Sequence, residues 1–100
     1  MKVEELQKKL AEGDNMLLID VREADEFASG DVIPNSQNIP MGKMFVEASK
    51  DALPKDKKIV AICKSGGRCG IVARELEGRG YDIEPLEGGL NAWKEAGASV

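Results

Sequence analysis

There is no histidine in this chain of 100 residues. That absence removes the Ser-His and Cys-His pairs through which a base commonly activates a nucleophile. It also removes every histidine-based zinc site, and the two cysteines present do not make a structural one by themselves. No metal is therefore expected. No apolar run approaches the length that spans a bilayer, so no membrane partner is expected either. Internal repeats, low-complexity tracts and linkers are also missing. The opening residues, Met1-Lys2-Val3-Glu4-Glu5, carry acids and no apolar core, so no secretory signal is read there. The expected location is cytoplasmic. A periplasmic protein whose leader had been removed would read the same.

What remains is the composition of a soluble globular protein, 42% hydrophobic and 32% charged. The length suits one compact domain over residues 1–100 and is too short for two. Net charge is −4, and no Lys/Arg stripe stands out to neutralise phosphates. Nucleic acid is thus not an expected partner. Lys55-Asp56-Lys57-Lys58 is the nearest thing to a basic patch, but Asp56 breaks it and it reads as a solvated turn.

Hydrophobic periodicity orders the chain. Val3, Leu6 and Leu10 recur at helical spacing, and Gly13 stops that helix. Met16-Leu17-Leu18-Ile19 and Ile59-Val60-Ala61-Ile62 are continuous apolar runs, which suits strands covered on both faces. Ala24 to Ser29 reads as a short helix closed by Gly30, Pro34-Asn35-Ser36 as a turn, and Gln37-Asn38-Ile39 as an edge strand. Met41 to Ala52 is partly helical, Cys69 to about Arg79 a helix closed by Gly78 and Gly80, and Tyr81 to Leu86 a short strand. Gly88-Gly89 is a turn before a last helix from Leu90 to Ala96, with Trp93 in its core face. Strands alternating with helices imply an α/β fold: a parallel sheet with helices on both faces. Ligands of such sheets bind outside the carboxyl ends of the strands.

Cys63 falls at such an end. It opens Cys63-Lys64-Ser65-Gly66-Gly67-Arg68, a small-residue loop between a buried strand and a helix. That placement aims backbone N–H groups and the positive end of a helix dipole at the sulfur, which favours the thiolate. With no histidine, a catalytic Cys63 owes its activation to these dipoles and to nearby Lys or Arg. A free cysteine is commonly only a small core residue. Ser65, Gly66 and Gly67 argue against that here, since paired glycines let backbone amides approach a ligand closely. Arg68 offers a planar fork of donors at a helix start, where the dipole is already positive, so an anion is expected beside it. Lys64 reads equally as a cation drawing anions to a pocket mouth or as a solvated side chain.

Cys69 also has two readings. It would resolve an oxidised or sulfur-loaded Cys63 by disulfide formation, or it would fill the core on one stripe with Val72, Ala73 and Leu76. The spacing is not that of a C-x-x-C oxidoreductase. Asp20, Arg22, Asp25 and Glu26 follow the first core strand. They read as an ion-pair and capping network rather than an acid–base carboxylate pair.

Together these segments resemble the single-domain rhodanese-like sulfurtransferases. Leu18-Ile19-Asp20-Val21-Arg22 with Glu26-Phe27 is similar to the family's first signature, and Ile33-Pro34 with Asn38-Ile39-Pro40 to its second. The Cys63–Arg68 loop is similar to its active-site loop. Tyr81, Leu86-Glu87-Gly88-Gly89-Leu90 and Trp93 are similar to its closing segment. Two features depart from the pattern. Gly30-Asp31-Val32-Ile33-Pro34 has one residue more than the usual Gly-His-Ile-Pro and no histidine, and Cys69 stands where Ser, Thr or Ala is more usual.

The resemblance implies three layers around a central five-stranded parallel sheet. It implies a ping-pong sulfur transfer, with neither metal nor organic cofactor. Cys63 would take a sulfane sulfur from a small anionic donor such as thiosulfate or polysulfide, becoming a persulfide. A thiophilic acceptor, cyanide or a thiol or protein thiol, would then remove it. Lys64, Ser65, Gly66, Gly67, Arg68 and Cys69 would bind the substrate, and the protein would be a monomer or weak dimer. Persulfide carriers and non-catalytic docking modules share this fold. The nearest rival enzyme is a cysteine phosphatase or arsenate reductase, since rhodanese-like folds also occur in dual-specificity phosphatases, but those place five residues between cysteine and arginine, where this chain has four.

Overall fold

A computed structural model describes residues 1–100. Nine elements follow one another: α1 (Val3–Ala11), β1 (Leu17–Asp20), α2 (Ala24–Ala28), β2 (Gln37–Asn38), α3 (Met41–Ser49), β3 (Ile59–Ile62), α4 (Gly67–Glu77), β4 (Ile83–Pro85) and α5 (Gly89–Glu95). All strands run parallel, in the order β2-β1-β3-β4. Leu17 to Asp20 register with Ile59 to Ile62, so the two apolar runs form the sheet's centre.

The side chains of β3 alternate between two cores, as the period of a strand requires. Ile59, Ala61 and then Cys63 face one core with Met44 and Ala48 of α3 and Val72, Ala73 and Leu76 of α4. Val60 and Ile62 face the other with Val3 and Leu6 of α1 and Leu90 and Trp93 of α5. All four β3 residues have no solvent exposure, which is why the strand reads as an unbroken apolar run. Each fully buried Leu or Ile contributes about 1.5–3 kcal/mol, and Leu6 and Leu76 anchor their helices in this way. The expected three layers are therefore present.

The resemblance implied five strands, and the sheet has four. The fifth position, on the outer edge of β4, is one residue wide. The Met1 ammonium donates to the Pro85 carbonyl at 2.7 Å and the Glu87 N–H donates to the Met1 carbonyl at 2.9 Å. That is the bonding pattern of a parallel neighbour, but the chain turns into α1 at Val3 before a strand develops. The segment expected as a strand from Tyr81 shortens to Ile83–Pro85, because Tyr81 packs in the α3/α4 core with its hydroxyl on the Ala48 carbonyl. Helix α4 begins two residues before the expected Cys69, which draws the end of the cysteine loop into its first turn.

Candidate active site

Cys63 is the first residue after β3, and the chain around it is held from two sides. The Val21 N–H donates to the Ile62 carbonyl at 2.8 Å. From the first turn of α5, Leu90 N–H donates to the Cys63 carbonyl at 2.7 Å and Asn91 N–H to the Lys64 carbonyl at 3.0 Å. Those amides are helix-start donors without partners in their own helix, and the cysteine loop supplies the acceptors. Such close docking requires a glycine. A Cβ on Gly89, whose φ is +58°, would lie 2.4 Å from the Cys63 carbonyl oxygen.

The loop then turns sharply at Gly66, with φ +109°, a conformation that side-chain-bearing residues rarely adopt. The turn brings the Gly66 N–H to 3.0 Å from the Cys63 Sγ and the Cys69 N–H to 3.3 Å. The Cys69 Sγ lies 3.1 Å from the same sulfur, and once Cys63 is ionised only the Cys69 thiol has a proton to donate between them. These donors favour the anion over the thiol. Cys63 is held well below the ordinary 9.0, at about 5, chiefly by the Cys69 thiol and then by the amides of Cys69, Gly66 and Ser65, against the opposing effect of burial. Cys69 moves the other way. Its proton is kept by the bond to Cys63 and by burial, so its pKa rises above 9.0.

The expected loop residues thus divide. Cys63, Gly66 and Cys69 converge on one sulfur centre. Ser65 and Gly67 are exposed, and a Cβ on Gly67 would meet only open space, so no close approach demands that second glycine. Lys64 is exposed and lines a cavity of about 270 Å³ with Arg22, Glu26, Asp31, Asn91 and Lys94. Cys63 itself is only 1% exposed, so its sulfur lies beneath the loop rather than on the surface.

The anion beside Arg68 is a protein carboxylate. Arg68 donates from Nη1 to Glu26 Oε1 at 2.6 Å and from Nη2 to Oε2 at 3.0 Å. Arg68 is the second residue of α4, a poor place for a cation, and Glu26 supplies the countercharge. The same Glu26 oxygen accepts the Glu23 N–H at 3.1 Å, as part of the α2 capping box. Glu26 is accordingly held down at about 2, first by Arg68 and then by that amide.

Asp20 and Arg22 form a separate, buried pair. Arg22 donates from Nε and Nη2 to both Asp20 oxygens at 2.9–3.1 Å, and from Nη2 to the Asp31 carbonyl at 3.1 Å. Asp20 is wholly buried and its lone pairs are occupied, which suits a brace between β1 and the following turn. Sequence reasoning read this as an ion-pair and capping network but missed that Glu26, while capping α2, also pairs with Arg68. It also took Gly88-Gly89 for a plain turn. The signal was there: two glycines directly before a helix are what a close backbone approach requires.

The comparison with known proteins agrees with this geometry. The family model described as Rhodanese-like domain matches residues 2–96. The chain belongs to the rhodanese-like family. Within it, YtwF of Bacillus subtilis, provisionally named a sulfurtransferase, is 38% identical over 89% of this chain and 84% of its own length. The sulfurtransferase of Allochromatium vinosum is 34% identical over 97% of this chain and 89% of its own. A rhodanese-related protein from Thermoplasma volcanium, of known crystal structure, superposes with a TM-score of 0.84 at 30% identity, covering 98% of this chain and 92% of the other. Sulfur transfer is therefore the general chemistry the family membership supports. No helix is long and apolar enough to cross a membrane.

Proposed function

We propose that this rhodanese-like protein transfers a sulfane sulfur through a persulfide on Cys63. The observation that carries the reading is the convergence of the Gly66 amide, the Cys69 amide and the Cys69 thiol on the Cys63 sulfur. The Cys63 thiolate attacks the outer sulfur of the donor, the donor's S–S bond breaks, and sulfite or a shortened sulfur chain leaves. An acceptor nucleophile, such as cyanide or a thiol or protein thiol, then attacks the outer sulfur of the persulfide. Cys63 departs as a thiolate, and the donors that lowered its pKa make it a good leaving group. One arrangement thus serves both halves of the reaction, with no role for a metal or organic cofactor.

Arg68 braces the loop through Glu26, and its guanidinium interacts with the Cys63 charge at longer range. At the cavity that Lys64 lines, Arg22 is paired with Asp20 and Lys94 with Asp31, which leaves Lys64 as the cation free to draw an anionic donor. Because Glu26 already fills the fork of Arg68, a donor that needs no bidentate contact, such as a low-molecular-weight persulfide or a polysulfide chain, is favoured over thiosulfate with its three-oxygen sulfonate end. A persulfide-carrier role with weak thiosulfate turnover has the same support.

Thiocyanate formation from cyanide, with thiosulfate and with polysulfide as donors, tests the reading. Turnover with at least one donor, abolished in Cys63→Ser, is expected. Turnover retained in Cys63→Ser overturns it.

A further inference from the structure

Cys69 is a buried nucleophile that the transfer cycle above uses only as a hydrogen-bond donor. Its Sγ lies 3.1 Å from the Cys63 Sγ, and both thiols are free. Neither side chain reaches solvent appreciably, Cys69 being 0% and Cys63 1% exposed. A disulfide needs the sulfurs about 2.0 Å apart, so about 1 Å of closure separates the pair from a bond. Cys63 ends a strand and Cys69 lies in the first turn of the next helix, with the Gly66 turn between them. The other polar neighbours of the Cys69 sulfur are the Gly66 and Leu86 carbonyls, at 3.4 and 3.8 Å. A hydroxyl at this position would donate to Cys63 equally well. Only a thiol can also form a covalent bond to it.

Resting on the persulfide reading, we propose that Cys69 resolves the Cys63 persulfide, so that the protein also releases its bound sulfur as sulfide. The Cys69 sulfur attacks the Cys63 Sγ, the bond from Cys63 to the outer sulfur breaks, and the Cys69 proton goes to the departing sulfur. Cys63–S–S⁻ and Cys69–SH become a Cys63–Cys69 disulfide and HS⁻. The outer sulfur gains two electrons and the two cysteines lose them. An external thiol reductant reopens the disulfide, two thiols giving up two electrons to restore the dithiol.

The local electrostatics order these steps. In the resting protein the Cys63 thiolate keeps the proton on Cys69, so Cys69 does not compete for the donor. Once Cys63 carries sulfur, the negative charge moves to the outer atom. The Cys63 Sγ is then a neutral electrophile beside a thiol that no longer stabilises an anion there. Sulfur taken by a good acceptor leaves by transfer, and sulfur that waits leaves as sulfide.

The test loads the full chain with polysulfide, removes the excess quickly and follows it without added thiol. Sulfide, intact mass and peptide mapping are read over time for the wild type, Cys69→Ser and Cys69→Ala. Two replacements guard against one that fails to fold. The expected result is one sulfide per chain from the wild type, a final mass two hydrogens below the reduced protein, and a Cys63–Cys69 cross-link. Both variants keep the sulfur, with sulfide release lost to background. If the wild type holds its sulfur as long as the variants do, the resolving role is overturned while the persulfide reading stands. If no protein takes up sulfur, both fall together.

Discussion

Glu26 and Arg68 are joined by two hydrogen bonds, Nη1 to Oε1 at 2.6 Å and Nη2 to Oε2 at 3.0 Å, across 42 positions of sequence. The bond couples the short helix α2 to the first turn of α4, one residue before Cys69. It also neutralises the one loop cation suited to hold an anionic donor by a bidentate contact. Removing the countercharge while keeping the side chain's shape should free Arg68. Glu26→Gln is therefore expected to lower the KM for thiosulfate several-fold and to leave polysulfide nearly unchanged. Steady-state kinetics with both donors check this, and an unchanged or raised KM for thiosulfate contradicts it.

The sulfur centre predicts a pH profile. Cys63 is lowered from 9.0 to about 5, so alkylation of Cys63 should follow a titration near that value. Cys69→Ala removes the largest favourable contribution and is expected to move the titration upward. Folding carries the same signature. The contribution of Cys63 is fully present above the unfolded value of 9.0 and is lost as pH falls through about 5. Cys69, raised above 9.0, opposes it only at more alkaline pH. Stability from urea unfolding under reducing conditions should thus rise between about pH 5 and 9, and this rise should disappear in Cys63→Ser.

Gly89 and Gly70 make a contrasting pair. A Cβ on Gly89 meets the Cys63 carbonyl at 2.4 Å, in a backbone conformation that L-residues rarely adopt. Gly89→Ala should displace the loop, costing about 1–3 kcal/mol for the backbone alone, with a larger proportional loss of sulfur transfer. Gly70 lies inside α4 with nothing within 4 Å of its missing Cβ. Gly70→Ala should stabilise by about 0.5–1 kcal/mol. Urea midpoints and transfer rates measured together separate the two effects.

The Asp20–Arg22 pair is predicted to be structural. Asp20→Ala leaves a buried guanidinium without its carboxylate and should cost about 3–5 kcal/mol. Transfer activity should survive in whatever fraction stays folded. A folded Asp20→Ala protein with normal stability and no activity would instead give Asp20 a chemical role.

Much of this architecture is legible before any coordinates. The runs at Leu17 and Ile59 are apolar throughout because both strands are central, and hydrophobicity alone reveals that. Cys63 is legible because a strand, two glycines and a helix follow in the order that builds an anion cradle. The Glu26–Arg68 bond is not, since nothing local ties residues so far apart. Nor is the docking of Gly89 on Cys63, which depends on where α5 returns to the sheet. The spacing of Cys63 and Cys69 allows contact without requiring it. The 3.1 Å approach of their sulfurs comes from the left-handed turn at Gly66. The fifth strand came from the family resemblance alone, since the hydrophobic periods read four strands and a helix from Val3, where α1 begins.

The central claim is that sulfur rides on Cys63, and intact-protein mass tests it most directly. The chain is exposed briefly to thiosulfate or polysulfide, beside Cys63→Ser, and weighed at once and after cyanide. The account predicts a gain of one sulfur atom or, where Cys69 has already acted, a loss of two hydrogens with sulfide in solution. Neither change occurs in Cys63→Ser, and cyanide removes any retained sulfur. An unchanged wild-type mass with both donors and no sulfide, or an equal gain in Cys63→Ser, contradicts it.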